Sequence, residues 1–203
     1  LVGALVMLAI PKSEETLHKV VALVTSLVVL AIGVAFLWDF DYDHTAVLQY
    51  AQDKSWIELI NARYLVAIDG ISLPLIALTV LVVPLVIIYS WDHFPEPHNP
   101  KGFLALILVL ETGMIGTFVA QDLLLFFVFF ELVLLPMYFM IGVWGGEQRK
   151  YASLKFFLYT MFGSALMLVA FLALYYKTGA VSFSIPYLIE HGGAIAKNTA
   201  IWI

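Results

Sequence analysis

Apolar residues in this chain come in long blocks rather than in the alternation of a half-buried strand. A hydrocarbon core about 30 Å thick needs roughly 20 helical residues to cross it. On that criterion the blocks at 18–38, 71–90, 102–119, 122–143 and 152–176 predict five complete membrane-spanning helices. Two shorter apolar runs flank them, Leu1 to Ile10 and Thr199 to Ile203. The fold class is therefore an all-α integral membrane protein, a polytopic helix bundle with partial spans at both ends. Residues 1–203 read as the N-terminal part of one membrane domain, incomplete at both ends.

Composition agrees with this pattern. Hydrophobic residues make up 63% and charged residues 12%, whereas soluble domains run near half apolar and a quarter charged. Net charge is −5 with no basic run, so no nucleic-acid partner is expected. There is no cysteine, which removes disulfides, thiolate chemistry and iron–sulfur ligation from this chain. The first apolar run lacks a basic flank and a small-residue cleavage site, so it reads as part of a span rather than a signal peptide.

Sidedness follows from the basic residues in alternate loops. One side carries Lys12, Lys19, Lys101, Arg149, Lys150 and the membrane-edge Lys155; the other carries Lys54, Arg63, Lys177 and Lys197 over longer loops. The first side is expected to be cytoplasmic. Trp38, Trp91 and Trp144 fall at span ends, where indole prefers to sit. The acidic stretch from Asp39 to Asp69 reads as a solvated outer connector, and Lys177 to Asn198, with Pro186 and Gly192-Gly193, as an outer loop.

Inside the spans two acidic residues remain, Glu111 and Glu131. A charge at bilayer depth costs roughly 2.5–3.5 kcal/mol on insertion scales, so such a residue is by default a functional candidate. Glu111 lies ten residues beyond Lys101, and Glu131 nine beyond Asp122. At about 1.5 Å per residue both sit roughly 14–15 Å deep, near the midplane. Only Ala120-Gln121-Asp122 separates the two spans, so they should form an antiparallel hairpin. If the two faces converged, desolvation and repulsion would favour the neutral acids. The stripe shared with Glu131 holds Phe127, Val128, Leu134, Leu135 and Tyr138, so a partner must come from another helix or from water.

Pro136, five residues after Glu131, frees a backbone carbonyl and predicts a kink, with a wetted break beside the carboxylate as the functional reading. Lys155 is either a lysine snorkelling to the interface or a buried charge partner or relay on a stripe with Tyr159. Gly163, Ser164 and Ala165 predict close helix packing. His18, His44, His93, His98 and His191 fall in loops or at span edges without metal-ligand spacing, so no metal site is expected.

From Glu111 to Tyr176 the chain contains the FFE run ending at Glu131, the PMYF run from Pro136, the Gly145-Gly146 turn and the KFFLYT run from Lys155. Together with IDGISLPL at Ile68 to Leu75, these closely resemble the M-type membrane subunits of bacterial respiratory complex I, the NADH:quinone oxidoreductase. The resemblance implies an antiporter-like, proton-translocating subunit of about fourteen spans in inverted repeats. It makes Glu131 the proton-channel carboxylate, with its partner lysine on a seventh span beyond this sequence; Lys155 does not stand in for it. It also implies a bacterial inner-membrane location, with NADH, flavin, iron–sulfur clusters and quinone in partner subunits and no cofactor in this chain. Expected partners are other membrane-arm subunits, including related antiporter-like ones, with lipid and protons. Related subunits in cation/proton antiporters and membrane-bound hydrogenases, and a purely structural scaffold, are the alternatives.

Overall fold

The computed structural model describes residues 1–92, 94 and 96–192; His93, Gly193, Lys197 and the apolar run at Thr199 to Ile203 lie outside the described residues. Five long helices follow the five predicted blocks closely: α2 (Glu15–Asp39), α3 (Ser72–Tyr89), α4 (Pro100–Val119), α5 (Leu123–Trp144) and α6 (Arg149–Lys177). All five are long and apolar enough to cross a membrane. Two shorter helices stand at the ends of the described chain, α1 (Val2–Ala9) and α7 (Ile185–His191). The second of these sits within a segment expected to be loop.

Contacts between segments far apart in sequence put the basic loops at one end of the bundle. Lys101 Nζ donates to the carbonyls of Leu8 and Ile10 at 3.0 and 2.6 Å, and Trp144 Nε1 donates to Pro97 O at 2.9 Å. The ends of α1, α3 and α5 thus meet the beginnings of α2, α4 and α6, as the sidedness argument requires.

The core lies among α1 to α4. Met7, Ala22, Val83, Ile87, Leu104 and Leu108 form one buried cluster, and Phe40, Ile68, Leu73, Ile76 and Val80 another toward the opposite end. Small residues set the spacing, since helices in lipid associate by close packing rather than by hydrophobic drive. A Cβ on Gly33 of α2 would stand 2.7 Å from Val80 of α3. One on Gly113 of α4 would stand 2.8 Å from Val133 of α5, and one on Gly116 would overlap the Phe129 ring. On α6 the packing falls to Ser153 and Ser164, which are buried. Gly163 and Ala165 face outward, and a Cβ on Gly163 would meet nothing within 4 Å, so the expected three-residue packing patch contracts to its serine.

The acidic connector departs from the all-helical expectation. It folds into an antiparallel hairpin of β1 (Gln49–Ile57) and β2 (Ala62–Ile68), turned at Asn61 with a left-handed φ of 50°. β1 is largely exposed, which is why its polar residues read as solvated, while Ala62, Leu65, Ala67 and Ile68 of β2 are buried. Gln121 N donates to Leu65 O at 2.9 Å, Leu123 N to Phe183 O at 3.0 Å and Ile185 N to Gln121 O at 2.8 Å. The α4–α5 turn is therefore held between the hairpin and the segment leading into α7.

Candidate functional site

Asp122 fixes the start of α5. Its Oδ1 accepts from the Leu124 and Leu125 amides at 3.0 and 3.2 Å, and Oδ2 accepts from the Arg63 amide of β2 at 3.2 Å. This is the side-chain N-cap that an aspartate before an apolar run supplies, extended here to tie the hairpin to the helix. Burial pushes the Asp122 carboxyl up from the usual range, and the three amides together with the Arg63 charge pull it back. The capping role of Asp122 was legible from its place before the apolar run that starts at Leu123.

Glu131 lies nine residues into the helix that Asp122 anchors. The side chain is half-buried, and its Oε1 is closed to solvent with no hydrogen-bond partner among the described residues. Phe129 and Val133 face α4, and Glu131, two residues from each, is turned about 160° away at 100° per residue. Its stripe continues to Tyr138, whose ring packs on Phe157 of α6 at 5.3 Å. Gly142, farther along, meets Ser153 of α6. A cavity of about 350 Å³ opens here at the basic end between α5 and α6, lined by Tyr138, Gly142, Lys150 and Ser153 among others. Seven residues, about 10 Å, separate Tyr138 from Glu131 on that stripe. α5 runs unbroken from Leu123 to Trp144 through Pro136, which is buried.

Glu111 is 3% exposed, and its Oε1 also lacks a partner. It stands about 140–160° round α4 from the glycines that pack on α5. It belongs instead to the stripe of Leu104, Ile107 and Leu108, which enters the core with α1, α2 and α3. The two carboxylates share a depth but look to opposite sides of the hairpin, so the structure does not bring them together. A sequence fixes the depth of each residue, but it does not state which face of a helix a neighbour occupies.

Lys155 is exposed, not buried. Phe157 and Ser153 of α6 meet α5 on either side of this position; Lys155, two residues from each, points the other way. Its ammonium lies 5.5 Å from the Tyr151 ring centroid, in an outward patch with Leu158, Tyr159 and Phe162. Among the described residues it forms no ion pair with either glutamate. The stripe with Tyr159 is real, but it faces away from the candidate site.

His18 does lie near a span edge, in the first turn of α2, but it is 1% exposed. Among the described residues no group of three His, Cys, Asp or Glu side chains could hold a metal.

The bundle thus carries a mid-depth carboxylate with a buried, unpartnered oxygen on each of α4 and α5, and the start of α5 is held by Asp122 from outside. Comparison with known proteins supplies the family. Residues 120–202 match the family described as NADH:quinone oxidoreductase/Mrp antiporter, TM, and residues 3–117 match NADH-ubiquinone oxidoreductase chain 4, amino terminus. The chain belongs to the NADH-ubiquinone oxidoreductase chain 4 family. It is 41% identical over 175 residues to NADH-quinone oxidoreductase subunit M of Rhodobacter capsulatus, covering 83% of this chain and 33% of that protein. It is 39% identical over 168 residues to F(420)H(2) dehydrogenase subunit M of Methanosarcina mazei, covering 81% and 33%. Among solved structures, a chain of respiratory complex I from Thermus thermophilus superimposes with a TM-score of 0.75 at 26% identity, covering 98% of this chain and 38% of that one. The chain thus spans about a third of the length of these two curated relatives.

Proposed function

We propose that this chain is part of a proton-translocating membrane-arm subunit of an NADH:quinone oxidoreductase in the bacterial inner membrane, and that Glu131 is its proton-carrying group. The observation that carries the reading is a mid-depth carboxylate with a buried, unpartnered oxygen, on a stripe that leads to an open cavity at the basic end. An ionised carboxylate so placed is far more costly than a neutral one. A positive charge brought near Glu131 favours the ionised form, and its withdrawal favours the neutral one.

The α5–α6 cavity lets water approach from the basic end, and the Tyr138 hydroxyl lies along the way. Glu111, on the other face of α4, is an auxiliary carboxylate rather than a direct relay to Glu131. Lys155 is turned outward, and the family resemblance implies that the lysine controlling Glu131 lies on a later span. Redox chemistry belongs to partner subunits that hold NADH, flavin, iron–sulfur clusters and quinone; this chain contributes the non-redox, ion-moving step. Its partners are other membrane-arm subunits, related antiporter-like ones among them.

The second reading, a cation/proton antiporter subunit, is favoured by the family description that pairs quinone oxidoreductases with Mrp antiporters. The full-length protein carrying Glu131→Gln, in membrane vesicles, separates the possibilities. The proposal expects normal assembly with NADH-driven proton uptake reduced. Failure of assembly would favour a scaffold role, and proton movement that requires sodium but not NADH would favour the antiporter.

A further inference from the structure

The basic end of the bundle holds a second polar site that the translocation reading does not use. A cavity of about 140 Å³ lies where α1 ends and α2 and α4 begin, lined by Lys12, Glu15, His18, His98, Asn99, Pro100 and Lys101. That is several times the space one water needs. His18 lines it while being 1% exposed, and its Nε2 has no hydrogen-bond partner among the described residues. A buried ring nitrogen left without a partner is a costly arrangement unless something fills the space beside it.

The surroundings specify the sign of the missing group. Glu15, the one acid in the lining, is already engaged: Oε1 meets Lys19 Nζ at 2.7 Å and Oε2 meets His98 Nε2 at 3.0 Å. Lys101 is committed to the Leu8 and Ile10 carbonyls. Lys12 makes no hydrogen bond or ion pair among the described residues, so its charge is unspent. The α4 N-terminus adds partial positive charge, and Asn99 caps only the Gly102 amide there, at 3.2 Å. Two lysines and an orphaned imidazole against one neutralised carboxylate make a receptor for an oxyanion.

The height of the site in the membrane names the oxyanion's source. Trp91 follows α3 directly and Trp144 ends α5, both at this end of the bundle. The Lys19 ammonium lies 6.0 Å from the Trp91 ring centroid and 5.1 Å from that of Phe94. Such a belt of indole and lysine marks the headgroup level. We propose that this cavity is a phosphate-binding site that takes the phosphate of an anionic lipid headgroup through Lys12 and His18.

The test uses the full-length protein in neutral detergent, titrated calorimetrically with dioctanoyl phosphatidylglycerol, with dioctanoyl phosphatidylcholine and with inorganic phosphate. Phosphatidylglycerol should bind saturably and about tenfold more tightly than phosphatidylcholine. Lys12→Glu, at an exposed position that leaves the core intact, should weaken it at least tenfold, as loss of one charge-assisted contact implies. His18→Gln should weaken it as well, with an unchanged circular dichroism spectrum. Competition by millimolar inorganic phosphate would assign the site to the free anion as well as to lipid, whereas no competition would assign it to the headgroup alone. Equal affinity for the two lipids, or wild-type affinity in the Lys12→Glu protein, would overturn the proposal.

Discussion

Replacing Asp122 with alanine tests how the outer layer holds α5, and with it Glu131. Asp122 is fully buried and its two oxygens accept three backbone amides, from Leu124, Leu125 and Arg63. Loss of an aspartate N-cap costs about 1 kcal/mol, with a range of roughly 0.5–2. Stranding the Arg63 amide adds about 1–3 kcal/mol. Against this, alanine relieves the burial of a carboxylate, the influence that pushes the Asp122 carboxyl upward. The balance predicts a loss of about 2–3 kcal/mol, a large fraction of the roughly 5–15 kcal/mol that holds a typical domain together. Denaturant titration of the full-length protein in micelles, followed by circular dichroism, measures it. Amide exchange should rise at Arg63, Leu124 and Leu125 before it rises elsewhere in α5. Asp122→Asn, which keeps one acceptor oxygen, should fall between wild type and alanine. A loss below about 0.5 kcal/mol, the ordinary scatter of surface substitutions, would refute the view that Asp122 joins hairpin and helix.

Other consequences can be checked separately. Gly116→Ala places a methyl group in the Phe129 ring and should cost about 1–3 kcal/mol as overpacking, whereas Gly163→Ala, with open space beside it, should change stability by less than about 0.5 kcal/mol in the same titration. Glu111→Gln removes a buried acid with an unpartnered oxygen and should leave stability level or raised, with a smaller effect on proton uptake than Glu131→Gln. In the outer connector, hydrogen bonds from the His44 ring and the Asp43 amide hold the Asp41 carboxyl below its usual value. A depressed carboxyl stabilises the fold above its unfolded value, about 3.9, and that contribution disappears as pH falls through the lower folded value. Exchange protection at the Asp43 amide should therefore persist down to about pH 4 and be lost below it.

The helices were legible because a membrane span is a one-dimensional signal. Length and apolarity alone recover α2 to α6 with ends within about three residues, within the variation of helix assignment and prediction. The hairpin was not, because β1 is exposed on both faces and so shows none of the alternation that marks a half-buried strand. Depth was legible too: both glutamates do lie mid-span. Facing was not, since it depends on which helix covers which stripe. Gly113 and Gly116 held that information, being the positions where α5 comes close, but a glycine in an apolar run does not say which neighbour it admits. His18 escaped for a similar reason: three residues from a helix start it reads as edge, and only the approach of α1 and α4 buries it. Lys155 shows the opposite case, where the stripe was read correctly and its direction could not be.

The central claim is that Glu131 carries the proton and that the outward Lys155 and the divergent Glu111 do not replace it. The most direct measurement is the number of protons moved per NADH oxidised in vesicles containing the fully assembled complex with Glu131→Gln, beside Glu111→Gln and Lys155→Ala. The ratio should be reduced for Glu131→Gln and near-normal for the other two. A normal ratio in a correctly assembled Glu131→Gln complex would contradict it.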